Sequence, residues 1–177
     1  MYWQEVSGNW FLVPEHPRAI IHFLGGAFVA AAPHLTYRWL LEALYTEGYV
    51  VVSTPFINTF DHSAIAQETL TTFNQGLTYL YKQRPDMSNL PIFGLGHSMG
   101  CKVHLLIGAA HPVKRAGNVF ISFNNFPARK SIPLLEQALD GARQFMPDFQ
   151  LDARLEFTPS PEQTLELIGT QYDTPYN

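Results

Sequence analysis

Hydrophobic positions along the chain form short continuous runs that alternate with longer amphipathic stretches. Short apolar runs bounded by turn-forming residues are typical of buried strands, and four of them occupy residues 18–24, 49–54, 90–95 and 117–123. Apolar side chains at helical spacing follow in the intervening segments, at residues 33–47, 63–83 and 98–110. Continuous apolar strands that alternate with helices predict an α/β fold, with a mostly parallel sheet between two helical layers.

The two ends of the chain depart from this alternation. Residues 2–13 predict an antiparallel hairpin, because Ser7-Gly8-Asn9 supplies a turn between two short apolar segments. After residue 125 the pattern becomes helical at 132–145 and again at 162–168, where Ser160 and Gln163 form a helix start signal. We therefore predict a core at residues 1–125 and a helical, cap-like segment of the same domain at residues 126–177.

Composition narrows the functional classes. The chain has 177 residues, 46% of them hydrophobic, which suits one globular domain with a full core. A net charge of -4 without any Lys/Arg run argues against nucleic acid as a partner. The first residues do not resemble a secretory signal, and Pro, Gly or His interrupts every apolar stretch well before the ~20 residues of a transmembrane segment. The single cysteine, Cys101, cannot form an internal disulfide, and we predict a soluble cytoplasmic protein.

The seven histidines do not match a metal motif. His97, His104 and His111 are spaced seven residues apart, which on a helix is two turns and too far for one ion. We predict neither a metal nor another cofactor.

The segment that joins the third apolar run to a helix carries the strongest chemical signal. Its sequence, GHSMG, places Ser98 between Gly96 and Gly100, with His97 and Met99 beside it. A strand, a sharp turn with a central serine and a helix form a nucleophile elbow, in which glycines avoid collisions two residues from the serine. The helix N-terminus adds positive potential and free N–H groups. Ser98 is therefore the predicted catalytic nucleophile.

A second small-residue turn follows the first apolar run, with the sequence LGGAF at residues 24–28. An acyl-transfer site needs backbone N–H groups aimed at the developing oxyanion. We predict that Met99 supplies one such donor and Gly26 or Ala27 the other. Residues that follow strand ends are candidates for the pocket lining, namely Phe28, His34 and His62. For His62, which adjoins Asp61, a solvated loop is the favoured alternative, and Cys101 is interpreted as a packing residue.

These two motifs resemble a known superfamily. Residues 20–56, with the LGGAF turn, and residues 93–106, with the GHSMG elbow, resemble the α/β-hydrolases. More narrowly, they resemble a branch classed as a domain of unknown function and known mainly from cyanobacteria and plastids. The resemblance covers roughly residues 2–175. It implies that Ser98 occupies the nucleophile position, that the oxyanion hole lies at the LGGAF turn, and that residues 126–170 form a helical cap over the site.

The partners of the serine are not found in their expected positions. In the superfamily the triad acid and then the histidine follow Ser98, each after a further core strand. No apolar strand follows residue 123, and His104 and His111 lie on the helix of the elbow itself. The favoured explanation is a chain truncated at its C-terminus that lacks the last core strands, and the alternative is a complete but inactive chain. Truncation would leave residues 117–123 as an apolar sheet edge, open to self-association.

Two functional hypotheses follow. The first is a serine hydrolase acting on a small molecule with an ester, thioester or other acyl group, in which this chain alone is inactive. Apolar residues in the cap-like segment weakly favour a lipophilic acyl group. The second is a non-catalytic binding or assembly protein on the same scaffold. A nucleotide-binding domain is disfavoured, because the glycines of the LGGAF turn match neither phosphate-loop pattern.

Overall fold

The computed structural model describes residues 1–27, 29–123, 125–127 and 156–172. The strands are β1 (Gln4–Val6), β2 (Asn9–Leu12), β3 (Ala19–Leu24), β4 (Tyr49–Ser53), β5 (Ile92–His97) and β6 (Gly117–Ile121). The helices are α1 (Pro33–Thr36), α2 (Arg38–Thr46), α3 (His62–Gln83), α4 (Met99–Ala110) and α5 (Pro161–Tyr172), with a 3-10 helix at Pro85–Asn89. None of the described helices combines the length and the apolarity that a membrane span requires.

The described strands form one mixed sheet in the order β1-β2-β4-β3-β5-β6. β1 and β2 form the predicted hairpin, and β2 also pairs antiparallel with β4. The other neighbouring pairs, β4 with β3, β3 with β5 and β5 with β6, are all parallel. The mostly parallel sheet with an antiparallel start is thus confirmed.

Helices cover both faces of the central strand β3, which explains why its sequence is apolar without alternation. Ile20 packs with residues of α3, whereas Ile21 and Phe23 pack with Leu41 of α2 on the opposite face. Leu24, at the end of the strand, lies in the cluster shared by α3 and α4. The three-layer arrangement is confirmed, and it places the carboxyl ends of β3 and β5 side by side.

One predicted helix is divided in the structure. Residues 33–47 were expected to form a continuous helix, but α1 ends at Thr36 and α2 begins at Arg38. Between them Tyr37 leaves the helical region, with φ −112° and ψ 16°. The interruption accompanies a ring that points into the molecule, with its centroid 4.7 Å from that of Phe23.

The last described helix begins where the sequence indicated. Gln163 N–H donates to Ser160 Oγ (3.2 Å), and Ser160 N–H donates to Gln163 Oε1 (2.9 Å), which is a reciprocal capping box. α5 is longer than the predicted helix at 162–168, and it packs against α4. The predicted helix at 132–145 lies outside the described residues, so the cap-like segment stays a prediction.

The two edges of the described sheet differ. β1 is short and polar, whereas β6 pairs only with β5 among the described strands and exposes apolar side chains on both faces. Val119 is 53% exposed, and Phe120 and Ile121 are each 37% exposed. The apolar strand predicted at 117–123 is therefore an edge strand within this part of the chain, and self-association through it stays a prediction.

Candidate active site

Ser98 lies in a strained turn between β5 and α4. Its backbone has φ 53° and ψ −115°, a left-handed conformation that costs a residue other than glycine about 1–3 kcal/mol. The Ser98 N–H donates to the carbonyl oxygen of Ile121 (2.9 Å), which fixes the turn to the end of β6. The strand–turn–helix geometry of an elbow is thus present, with Ser98 immediately before the N-terminus of α4.

Close backbone packing explains the two glycines around the serine. A side chain at Gly100 would collide with the carbonyl oxygen of Leu24, and its Cβ atom would lie 2.6 Å from the Leu24 carbonyl carbon. A Cβ atom at Gly96 would lie 2.6 Å from the backbone nitrogen of Cys101. Neither position can hold a side chain unless the backbone moves. The steric reason inferred from the sequence therefore applies at both positions.

The turn after β3, residues 25–27, lies beside the elbow. Leu24 is opposite Gly96 in the β3–β5 register, and a Cβ atom at Gly26 would be 3.5 Å from the Cβ atom of Ser98. Gly26 N–H, one of the predicted oxyanion donors, already donates to the Tyr37 hydroxyl oxygen (2.8 Å). Among the described hydrogen bonds none begins at the N–H of Ala27 or Met99, so these two donors fit the predicted role better than Gly26.

His97, the neighbour of the serine, is held by a tyrosine. Its Nδ1 atom lies 2.8 Å from the Tyr37 hydroxyl oxygen, and the two ring centroids are 5.5 Å apart. Burial raises the pKa of Tyr37, although the Gly26 N–H opposes this shift, so the hydroxyl keeps its proton at neutral pH. Tyr37 was not among the site residues predicted from the sequence. Its aromatic character within an apparent amphipathic helix gave no sign of a site.

No described contact connects two of the predicted pocket residues, His34 and Phe28, to Ser98. His34 on α1 stacks against Trp10 of β2, with ring centroids 3.7 Å apart, and lies edge-on to Trp3 at 6.2 Å. Phe28 lies outside the described residues. Their assignment to the pocket stays a prediction.

The expectation of a solvated loop at His62 is wrong. His62 is the first residue of α3, is only 2% exposed, and its ring lies 4.2 Å from that of Phe157. A backbone interaction that the sequence pattern does not reveal accompanies this burial and holds residues 157–158 against His62. His62 N–H donates to the Thr158 carbonyl oxygen (2.7 Å), and Thr158 N–H donates to the Phe60 carbonyl oxygen (2.7 Å). Asp61 instead caps α3, where its carboxylate accepts from Ala64 N–H (2.9 Å).

A buried lysine accompanies His62. Lys102 lies one turn beyond Ser98, is 3% exposed, and donates from Nζ to the Pro159 carbonyl oxygen (3.1 Å). Burial lowers the pKa of Lys102 to about 8. Burial, together with the charge of Lys102, lowers the pKa of His62 to about 4, so this ring is neutral at pH 7. This pair connects α3 and α4 to the segment before α5.

A second group of polar side chains crosses the sheet beneath α3 and α4, and we call it the polar row (Asn9, Thr54, His22, His104 and Arg115). His22 Nδ1 accepts from Arg115 Nη2 (2.8 Å), and His22 Nε2 lies 3.1 Å from Thr54 Oγ1. Thr54 Oγ1 donates to Asn9 Oδ1 (2.6 Å), and His104 Nε2 donates to the His22 carbonyl oxygen (3.1 Å). The prediction that His22 is a buried, hydrogen-bonded core residue is confirmed.

Burial keeps both histidines of the polar row neutral. Burial, reinforced by the nearby charge of Arg115, lowers the pKa of His22 well below its ordinary value. The same two causes lower the pKa of His104 to about 3. Burial also lowers the pKa of Arg115, to about 10, which leaves it charged at pH 7. Neither histidine is suited to accept a proton from Ser98.

No described histidine hydrogen-bonds to Ser98, although all seven histidines of the chain lie within the described residues. Four have the neighbours given above, and His97 contacts Tyr37. His111 ends α4, and the side chain of His16 is 92% exposed beside Glu15. The described part of the chain therefore contains the elbow and the adjacent glycine turn, and does not contain a base in hydrogen-bond contact with the serine.

Two alternative chemistries receive no support from this part of the chain. The described residues contain no cluster of three or more His, Cys, Asp or Glu that could hold a metal ion. Cys101 is fully buried with its Sγ atom 3.4 Å from the Ile121 carbonyl oxygen, and burial raises the pKa of its thiol. A thiol with a raised pKa is a weak nucleophile, which agrees with its interpretation as a packing residue.

Comparison with known proteins gives a family and a fold. The model of the family described as "Protein of unknown function (DUF1350)" matches residues 2–177. Fluorophosphonate-binding serine hydrolase F of Staphylococcus aureus is 17% identical with a TM-score of 0.59, and the match covers 93% of this chain and 68% of that chain. TT1662 of Thermus thermophilus is 15% identical with a TM-score of 0.54, over 95% of this chain and 71% of that one. A lipase in its open form is 17% identical with a TM-score of 0.51, and the match covers 96% of this chain and 54% of that chain.

These likenesses show the α/β-hydrolase fold and leave the reaction open. No curated protein matches the chain. The matches cover 55%, 54% and 61% of the chains of a dienelactone hydrolase, the lipase and a carboxyl esterase, so this chain spans little more than half of their length.

Proposed function

Because this chain belongs to the DUF1350 family and has the α/β-hydrolase fold, we propose that it carries the nucleophile of a serine hydrolase acting on acyl compounds. One observation carries the proposal. Ser98 holds a left-handed backbone, φ 53°, at the N-terminus of α4 and directly beside the glycine turn. Such strain persists where the surrounding structure enforces it, and it is concentrated at functional sites.

The geometry fits nucleophilic attack on a carbonyl group. Ser98 Oγ would form a bond to the carbonyl carbon while a base takes its proton, and the carbonyl oxygen would become an oxyanion. The N–H groups of Met99 and Ala27 are the proposed donors to that oxyanion. The leaving group would depart with the proton, and water would then release the acyl group from the serine. We place the base and its acidic partner outside the described residues.

The substrate class follows from the same chemistry. An ester or thioester of a small molecule presents the carbonyl that such a site needs, and the apolar cap-like segment weakly favours a lipophilic acyl group. The S. aureus neighbour binds fluorophosphonates, according to its description. These compounds react with activated serines, and they therefore provide a test that does not require knowledge of the substrate.

The test is labelling with a fluorophosphonate probe, followed by peptide mass analysis. We expect the complete gene product to be labelled at Ser98, and Ser98→Ala to abolish the labelling. Ser122→Ala is the matched control, because Ser122 also has a left-handed backbone (φ 52°) near the elbow but does not directly precede any of the described helices. Labelling of the 177-residue chain in parallel reports whether it contains its own base. A folded gene product that is not labelled, or labelling that survives Ser98→Ala, would overturn the proposal.

A non-catalytic scaffold is the second candidate. β6 exposes apolar side chains on both faces, as a strand does when another element normally covers it. A binding or assembly protein could use this edge and retain the elbow only as a turn. It would remain unlabelled by the probe, and its variants at Ser98 would keep partner binding.

A further inference from the structure

We infer that Tyr37 is a positioning residue for the proposed reaction, since it links the glycine turn to the elbow through Gly26 and His97. The inference rests on the proposed function of Ser98 and adds a residue that holds the two halves of the oxyanion site together. Its evidence is the pair of hydrogen bonds at the Tyr37 hydroxyl, both 2.8 Å long.

Chemistry fixes the direction of the hydrogen bond from Gly26, whereas the direction of the one at His97 depends on the tautomer of the ring. A backbone amide can only donate, so Gly26 N–H donates to the Tyr37 oxygen. The Tyr37 hydroxyl donates to Nδ1 of His97 when the ring proton is on Nε2, and it accepts from Nδ1–H in the other tautomer. Both tautomers keep the link between the two residues. Two hydrogen bonds at the Tyr37 hydroxyl therefore connect Gly26 of the glycine turn to His97, the residue beside the nucleophile.

Packing around the ring shows how closely Tyr37 fits. A Cβ atom at Gly25 would lie 2.8 Å from Cε2 of Tyr37, so the ring passes directly against the backbone of the turn. A Cβ atom at Gly26 would be 3.3 Å from the Tyr37 hydroxyl and 3.2 Å from His97 Nδ1. On its inner side the ring meets Phe23 edge-on. The hydroxyl is thus fixed between the two loops that form the site.

The hydrogen bond from Gly26 to Tyr37 decides which amide of the glycine turn can donate to the oxyanion. With Gly26 N–H committed to Tyr37, the next amide in the turn, that of Ala27, is left for the oxyanion. The position of the Ala27 N–H relative to the Met99 N–H depends on where Tyr37 holds the turn. Removing one well-placed oxyanion donor slows acyl transfer by about 100- to 1,000-fold, and misplacing one should cost part of that.

The first test asks whether the link exists, and it does not depend on activity. In Tyr37→Phe the ring remains but the acceptor of the Gly26 amide is lost. We expect hydrogen exchange at that amide, measured by NMR, to accelerate by roughly tenfold or more. Tyr45→Phe is the matched control, because Tyr45 lies on α2 and none of the described hydrogen bonds uses its hydroxyl. Unchanged exchange at Gly26 in Tyr37→Phe would overturn the inference.

The second test asks whether the link serves the reaction. We expect Tyr37→Phe to reduce the rate of fluorophosphonate labelling by about 10- to 100-fold, with Tyr45→Phe unaffected. His97→Asn, whose amide oxygen can still accept from Tyr37, should lose less than His97→Leu, and Tyr37→Phe should add little to His97→Leu. Faster exchange at Gly26 with an unchanged labelling rate would mean that Tyr37 holds the turn without affecting the reaction, and would overturn its role as a positioning residue. No labelling in the wild-type protein would instead overturn the proposed function, and with it the role of Tyr37 in catalysis.

Discussion

The elbow lies at the carboxyl end of β5, whereas the polar row crosses the same sheet beneath α3 and α4. Both contain histidines in hydrogen bonds, yet the two regions are built differently. At the elbow, Ser98 holds a strained backbone, and the glycines at 96 and 100 are fixed by backbone contacts closer than any side chain allows. In the polar row no residue has a left-handed backbone, and the side chains of Thr54 and His22 lie within hydrogen-bond distance of one another. The elbow stores strain, whereas the hydrogen bonds of the polar row offset part of the cost of burying its polar groups, with His104 Nδ1 and Arg115 Nη1 left without a partner among the described residues.

Substitutions in the two regions should therefore affect different properties: the reactivity of Ser98 at the elbow and the free energy of unfolding in the polar row. Strain that persists in a fold is maintained by its surroundings, and substitutions there should change reactivity first. Hydrogen bonds in a buried network offset the cost of burying polar groups, so substitutions there should change the free energy of unfolding. The following predictions test the separation, beginning with the largest effect.

The first prediction concerns the closest backbone contact of the elbow. Gly100→Ala would place a methyl group against the Leu24 carbonyl, which forces β3 and α4 apart at the point where the glycine turn begins. We expect the rate of fluorophosphonate labelling to fall by roughly 1,000-fold, about 4 kcal/mol, because both oxyanion donors move. The measurement is the second-order labelling rate of the folded variant.

Gly108→Ala provides the control on the same helix. A Cβ atom there meets nothing within 4 Å, so alanine should leave labelling unchanged and stabilise the helix by up to about 1 kcal/mol. If Gly100→Ala labelled as fast as Gly108→Ala, the elbow would be an ordinary turn and the comparison would fail.

Part of this comparison could be predicted from the sequence. The strand and helix pattern depends on local periodicity, and the strand–turn–helix at GHSMG depends on glycine spacing within five residues. The described strands and helices therefore agree with the prediction, apart from the helix at 33–47, which is divided. The capping box at Ser160 is equally local. Each of these features is determined by residues that lie close together in the chain.

The remainder depends on contacts between distant residues. Tyr37 and His97 are 60 positions apart, and Lys102 and Pro159 are 57 positions apart, and neither pair has a periodic signature. The helix break at Tyr37 was missed because the apolar spacing continues across it. His62 was misassigned because residues 157–158 pack against it from a distant part of the chain, and the backbone hydrogen bond to Thr158 that accompanies this contact leaves no trace in residue type.

The second prediction concerns acid pH. His22, His104 and His62 have pKa values lowered by burial, so near pH 5.5 the unfolded chain binds up to three protons that the folded chain does not. Lower pH therefore favours unfolding over the window from pH 6.5 down to about 4. Between pH 6.5 and 5.5 we expect stability to fall by about 3 kcal/mol, measured by chemical denaturation.

A variant assigns one part of this loss to the polar row. His104→Gln can keep a donor to the His22 carbonyl oxygen but cannot titrate, so the loss should shrink by about 1 kcal/mol. A stability that stays constant from pH 6.5 to 5.5 would mean that burial does not hold these histidines neutral.

The third prediction has the smallest expected effect and isolates the polar row from the elbow. Thr54→Val preserves shape but leaves the Nε2–H of His22 and Oδ1 of Asn9 without a partner. Each of the two unpaired buried groups costs about 1–3 kcal/mol, and the valine methyl group that is buried in place of the hydroxyl offsets part of this cost. We therefore expect a loss of about 2 kcal/mol in unfolding free energy, with the labelling rate of Ser98 unchanged. Thr78→Val, which removes an exposed hydroxyl bonded to the Asn74 carbonyl, should change stability by less than about 0.5 kcal/mol. A slower labelling rate in Thr54→Val would show that the two regions are coupled through β3, since this strand carries His22 and ends at the glycine turn.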